Sequence, residues 1–303
     1  MKISDYQINS IIIMRIKSLF FISVFFFSIA ANAQLLWKVS GNGLSDTSYL
    51  FGTHHLIQKE QIPDFDKTLL FVKKVDYVVG EMDLSNMLEM QIKLMKGATM
   101  KDTTLTELLN PEDYILVDNA FKEVMGMGIK KFDKFKPMML SSLYSAMLYM
   151  KQNNLKKEPE AVDQIFQKFG KKNKKKIVGL ETIEQQIDIL FNKISLTRQA
   201  EMLVKTVSEK DKSNELIKKL NELYLKGDLE GLEALNNEEN DLNQDEKNFL
   251  IINRNNNWME QFKIMFPQNS CFVAVGCLHL TGESGLIKQL RNAGYNVEQV
   301  KFH

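Results

Sequence analysis

Four short apolar runs in this chain stop abruptly on a polar residue able to do chemistry. Tyr49-Leu-Phe-Gly52 leads into Thr53, His54 and His55, and Phe272-Val-Ala-Val-Gly276 leads to His279. Tyr77-Val-Val-Gly80 ends on Glu81, and Ile177-Val-Gly-Leu180 on Glu181. The two His runs share the spacing G-x-x-H after a strand-like segment. In open α/β sheets, ligands gather beyond the carboxyl ends of the strands. His55, Glu81, Glu181 and His279 are therefore expected to form one site.

Imidazole and carboxylate together suit Zn, Mn, Fe or Co, and three protein ligands leave room for a water. Such a metal lowers the pKa of its water and polarises a carbonyl, while a second acid is free to act as general base. Glycine beside each candidate permits close backbone approach. The bland reading is that a single G-x-x-H carries little specificity and that a strand-end His often serves only structure. Against it, three of the chain's four His fall in these two motifs. On an extended strand His54 and His55 point to opposite sides, and aligning the motifs selects His55. Cys277 stands two residues before His279, either as a thiolate ligand or as a small buried filler.

Strand signals at 35–40, 48–52, 76–80, 177–180, 272–276 and 296–301 alternate with helical periodicity. Helix starts are read at Pro63, Ser85, Asn110-Pro111, Pro137 and Thr182. The expected fold is α/β, a central mixed sheet flanked by helices and carrying a large helical insertion. The frame covers 35–100, 176–190 and 245–303, and the insertion covers 103–175 and 195–240. Residues 236–245 read as an acidic, Asn-rich linker. The two strand–GxxH–helix pieces hint at an internal duplication.

Of the 303 residues, 39 are basic and 38 acidic, so no global field points to nucleic acid, and Lys171–Lys176 reads as a solvated basic turn. Arg15 and Lys17, the apolar run Leu19–Ile29 and Ala31-Asn32-Ala33 have the form of a cleavable export signal over residues 1–33, with Met14 a candidate true start. The run is short for a membrane span, so a periplasmic or secreted mature chain 34–303, one domain with no stable span, is expected. Only Cys271 and Cys277 are available for a disulfide. Six strand steps separate them by roughly 20 Å, beyond the ~7 Å reach of a bridge, so two free thiols are expected.

Taken together, Trp37, Tyr49–His55, Glu81, Gly179–Thr182 with Gln186, Lys136-Pro137, Arg254-Asn255 with Trp258, and Val275–Leu280 with Gly282 and Gly285 resemble the TraB/GumN family, which includes the TIKI metalloproteases. The resemblance spans about Leu35 to Val300. It implies a fold related to erythromycin-esterase-like and ChaN-like proteins. It further implies a divalent-metal site on His55, Glu81 and His279, with Glu181 and Arg254 at other family positions. Arg254 is either a clamp for developing charge or a salt-bridge partner of Glu81 or Glu181. The function expected is an exported metal-dependent hydrolase, a peptidase acting on a peptide or protein substrate, with Glu181 as candidate general base and Arg254 as charge stabiliser. A binding protein holding metal or haem without turnover is one alternative, and a metal-free esterase with His55 as base is another. This chain departs from the family pattern at His54 and Cys277.

Overall fold

A computed structural model describes residues 35–239 and 242–302. The expected export signal lies outside the described residues.

Six strands form one mixed sheet: β1 Leu36–Gly41, β2 Ser48–Thr53, β3 Tyr77–Gly80, β4 Lys176–Gly179, β5 Cys271–Gly276 and β6 Tyr295–Gln299. Their order is β4-β3-β5-β2-β1-β6. β2, β5, β3 and β4 run parallel to one another, whereas β1 is antiparallel to both β2 and β6. The four strands that precede His55, Glu81, Glu181 and His279 therefore all end at one edge of the sheet.

Helices cover both faces, as buried parallel strands require. Apart from the single turns Leu105–Leu108 and Gln244–Lys247, the α-helices in chain order are α1 Phe65–Val72, α2 Met87–Gly97, α3 Pro111–Met125, α4 Pro137–Gln152, α5 Val162–Lys172, α6 Ile183–Phe191, α7 Leu196–Ser208, α8 Lys210–Lys226, α9 Leu229–Glu239, α10 Asn253–Met265 and α11 Leu286–Asn292. Alternation along β5 divides the core. Phe272 and Ala274 join Phe51, Phe166 and Tyr224 in one cluster, while Val273 and Val275 join Trp258, Phe262 and Leu290 in another.

A third cluster, Leu105, Phe121, Leu140, Tyr144 and Leu203 among its members, holds α3, α4 and α7 together away from the sheet. Helices expected in the insertion thus divide between two environments, because α5 and α8 return to the sheet through Phe166 and Tyr224. The stretch read as a linker is in part helical, since α9 continues to Glu239. Leu232 and Leu235 of that helix are buried, giving it an apolar anchor that its Asn-rich end obscures in the sequence. Asn86, rather than Ser85, caps α2 by accepting from the Glu89 N–H at 3.3 Å.

Candidate functional site at the carboxyl edge of the sheet

Register brings the two acids side by side. Gly80 pairs with Gly179, and past the strand ends the Glu181 N–H still donates to the Glu81 carbonyl at 2.8 Å. A Cβ on Gly179 would lie 2.5 Å from the Asp83 backbone nitrogen, so only glycine lets these chains approach so closely. From β5, the Gly276 N–H donates to Glu81 Oε1 at 2.9 Å, and a short turn Cys277–His279 buries the imidazole.

The fourth member arrives from the other layer. A π-helical turn, Asn248–Ile252, runs into α10, whose first turn presents Arg254. Such turns recur at functional sites. Arg254 Nε reaches Glu181 Oε1 at 2.8 Å and Nη2 reaches Glu181 Oε2 at 3.0 Å. Nη2 also donates to Glu81 Oε2 at 2.6 Å, and Nη1 lies 3.0 Å from His279 Nε2. Trp258 Nε1 donates to Glu181 Oε1 at 3.0 Å, and Gln186 Nε2 donates to Oε2.

Glu181 thus receives two donors on each oxygen, all that a carboxylate accommodates. The general-base role expected of it has no lone pair left, and its function here is to fix Arg254. Glu81 is the more open acid, with its side chain 21% exposed against 7% for Glu181. Burial raises the Glu81 pKa, but the His279 and Arg254 charges and the Gly276 and Arg254 hydrogen bonds outweigh it and hold the carboxyl down at about 2.

His279 is oriented from behind. Asn255 Nδ2 donates to the His279 and Ser284 carbonyls, which turns Oδ1 toward His279 Nδ1 at 2.7 Å. That assignment places the imidazole proton on Nδ1 and leaves the Nε2 lone pair facing Arg254. Burial, reinforced by the Arg254 charge and opposed by Glu81, lowers the His279 pKa to about 4. The ring is therefore neutral at pH 7. Two carboxylates meet one guanidinium in this cluster, which carries one excess negative charge.

The β2 histidines are arranged differently. β2 ends at Thr53 and the chain turns, so alternation no longer decides which ring faces inward. His54 is half-buried, its Nδ1 accepts from the Leu56 N–H at 3.2 Å, and its ring lies 5.3 Å from Tyr224. Burial first, then the neighbouring His55 charge, lower its pKa to about 4. His55 is exposed at the same sheet edge, with no hydrogen bond or ion pair to Glu81, Glu181, Arg254 or His279 among the described residues. Tyr224 closes the end of β2 by donating to the Gly52 carbonyl at 2.9 Å. Cys277 is buried, and burial pushes its thiol up to about 12, which suits a filler rather than a thiolate ligand.

The donor types suit a divalent cation. The cluster has a negative excess, and His279 has the back-side anchor typical of metal-bound imidazole. The arrangement is less accommodating. Arg254 stands where a cation shared by Glu81 Oε2 and His279 Nε2 would sit, and no group of three or more His, Cys, Asp or Glu among the described residues is placed to hold a metal. One imidazole lone pair serves a guanidinium or a metal, not both.

Residues 35–299 match the model of the TraB/PrgY/gumN family. The chain belongs to that family. No curated protein and no solved structure matches it. In this TraB/PrgY/gumN protein the roles of Gln186, Asn255 and Trp258, three residues of the family-like motifs, become legible as contacts to Glu181 and His279. Tyr224 and the π-helical turn carried no such sequence signal.

Proposed function

We propose that this TraB/PrgY/gumN protein is a metal-dependent hydrolase, a peptidase that works after export, once residues 1–33 are removed. The observation that supports it is the convergence of Glu81 and the Asn255-anchored His279 on one point at the carboxyl edge of the sheet. His55, Glu81 and His279 would hold Mn, Zn, Fe or Co once the Arg254 Nη1 contact to His279 Nε2 is given up. When bound, the metal would supply an activated water and polarise the scissile carbonyl.

The protein side of this chemistry is positional. Asn255 holds the His279 ring with Nε2 forward, Glu181 and Trp258 hold the guanidinium, and Gly276 orients Glu81. Arg254 is set to stabilise negative charge developing beside Glu81. No helix among the described residues is long and apolar enough to cross a membrane.

A second reading draws on Arg254 in the cation position: a metal-free hydrolase with exposed His55 as base. Cleavage of a mixed peptide pool by the purified mature chain, with and without chelator, separates the two. Activity lost to chelator and restored by one of the four metals supports the first reading. Activity indifferent to chelator supports the second, and no cleavage under either condition removes both.

A further inference from the structure

Two cavities between α2 and α6 share Lys93. The inner, of about 300 Å³, is lined by Glu181 itself together with Met82, Met90 and Ile183. The outer, of about 660 Å³, extends from Lys93 past Lys96 to Lys101 and Lys136, over Ile187 and Leu196. A groove therefore leads from the glutamate cluster along the α2–α6 seam.

Its outer end is electrostatically unbalanced. Lys93 is satisfied by Glu89 at 2.9 Å and Glu184 at 3.0 Å. Lys136 Nζ donates to the neutral Asn192 Oδ1 at 2.7 Å. Among the described residues, none of Lys96, Lys101 and Lys136 is ion-paired, while Asp102 is the remaining acid on this wall. Burial and the nearby Lys101 charge both weaken the hold of Lys136 on its proton.

The Lys136 backbone is also fixed on both sides. Its backbone N–H donates to the Ala98 carbonyl at 2.8 Å, Thr99 bridges Phe135, and Pro137 begins α4 directly after it. Holding like charges together without a counter-ion has a free-energy cost, which a bound anion would remove. The apolar floor beside them suits side chains of an extended polypeptide.

We propose that this groove binds an anionic segment of the polypeptide substrate, seating a carboxylate between Lys101 and Lys136 while the chain runs toward Glu181. The inference rests on the peptidase reading for the identity of the ligand and adds its charge. The carboxylate comes from an acidic side chain or from the peptide's own terminus.

Three octapeptides of alternating Ala and Leu, each N-terminally labelled with the same uncharged fluorophore, test it by anisotropy. One carries two Asp and an amidated end, one a free terminal carboxylate without Asp, and one neither. Either anionic peptide should bind about tenfold tighter than the neutral one, and the one that does identifies the source. The double variant Lys101→Gln/Lys136→Gln should lose that preference, and Lys101→Gln alone, at an exposed position, should reduce it should the double variant fail to fold. Equal binding of all three peptides, no binding of any, or a preference unchanged in the variants would overturn the proposal. Because hydrolysis is not read, a chain that binds with this preference yet cleaves nothing would count against the peptidase reading alone.

Discussion

Arg254 Nη1 lies 3.0 Å from His279 Nε2, with the Nδ1 side of the ring held by Asn255 at 2.7 Å. The imidazole is fixed at both nitrogens, and its one lone pair is turned toward a guanidinium already shared by two carboxylates. Stability and proposed activity are coupled at this contact.

Glu181 contributes chiefly through Arg254. Replacing Glu181 by Gln removes the charge opposite Nε and Nη2 and should destabilise the fold by about 3 kcal/mol or more, the usual cost of breaking a buried pair from one side. Urea unfolding at pH 7 measures it. A loss below about 1 kcal/mol would show that Glu181 is not the anchor.

Asn255 makes three hydrogen bonds through one amide. Asn255→Ala leaves the His279 Nδ1–H and the Ser284 carbonyl without this partner and should cost about 1–3 kcal/mol. The His279 ring should also lose its fixed tautomer, visible as a change in its imidazole nitrogen shifts by NMR. Unchanged shifts would contradict the anchoring role.

Acid sensitivity follows from the buried ring of His279 and the half-buried ring of His54. His279 and His54 are both lowered from 6.5 to about 4 in the folded protein. The unfolded chain therefore takes up protons first. The associated stability is complete above pH ~6.5 and is lost as pH falls toward 4, by about 3 kcal/mol for the fully buried His279. In chelator-treated protein, His279→Gln should flatten this pH dependence and leave the part due to His54. An unaltered slope would contradict the burial of His279.

Gly179 should not tolerate a side chain. The Cβ of Gly179→Ala would press on the Asp83 backbone at 2.5 Å, where no rotamer change relieves it. A loss of about 1–3 kcal/mol is expected, and the thermal midpoint checks it.

The strand ends are legible because each apolar run carries its polar residue within three positions after a glycine. Parallel pairing then brought three of them, Glu81, Glu181 and His279, around one residue. The helix starts at Asn110-Pro111, Pro137 and Thr182 were legible for a similar reason, since capping chemistry is local. What the sequence could not supply depends on backbone turns and distant partners. Alignment of the two G-x-x-H motifs selects His55 over His54 on the premise of an extended strand, but β2 stops at Thr53 and leaves the His55 ring exposed. Glu181 looked like a free base because its four donors come from three residues scattered over Gln186, Arg254 and Trp258. For Arg254 the sequence left clamp and salt bridge open, and the structure shows it bound to Glu81 and Glu181 together.

The proposed divalent-metal site on His55, Glu81 and His279 is tested by the metal content of the purified mature chain, residues 34–303. The comparison is the His55→Ala/His279→Ala double variant, measured after incubation with Mn, Zn, Fe or Co and gel filtration. Near-stoichiometric metal is expected in the unaltered protein and none in the variant, with His55→Ala by itself shifting stability by no more than about 0.5 kcal/mol. Absence of metal from both proteins would contradict it, and would leave Arg254 as the cation this site is built to hold.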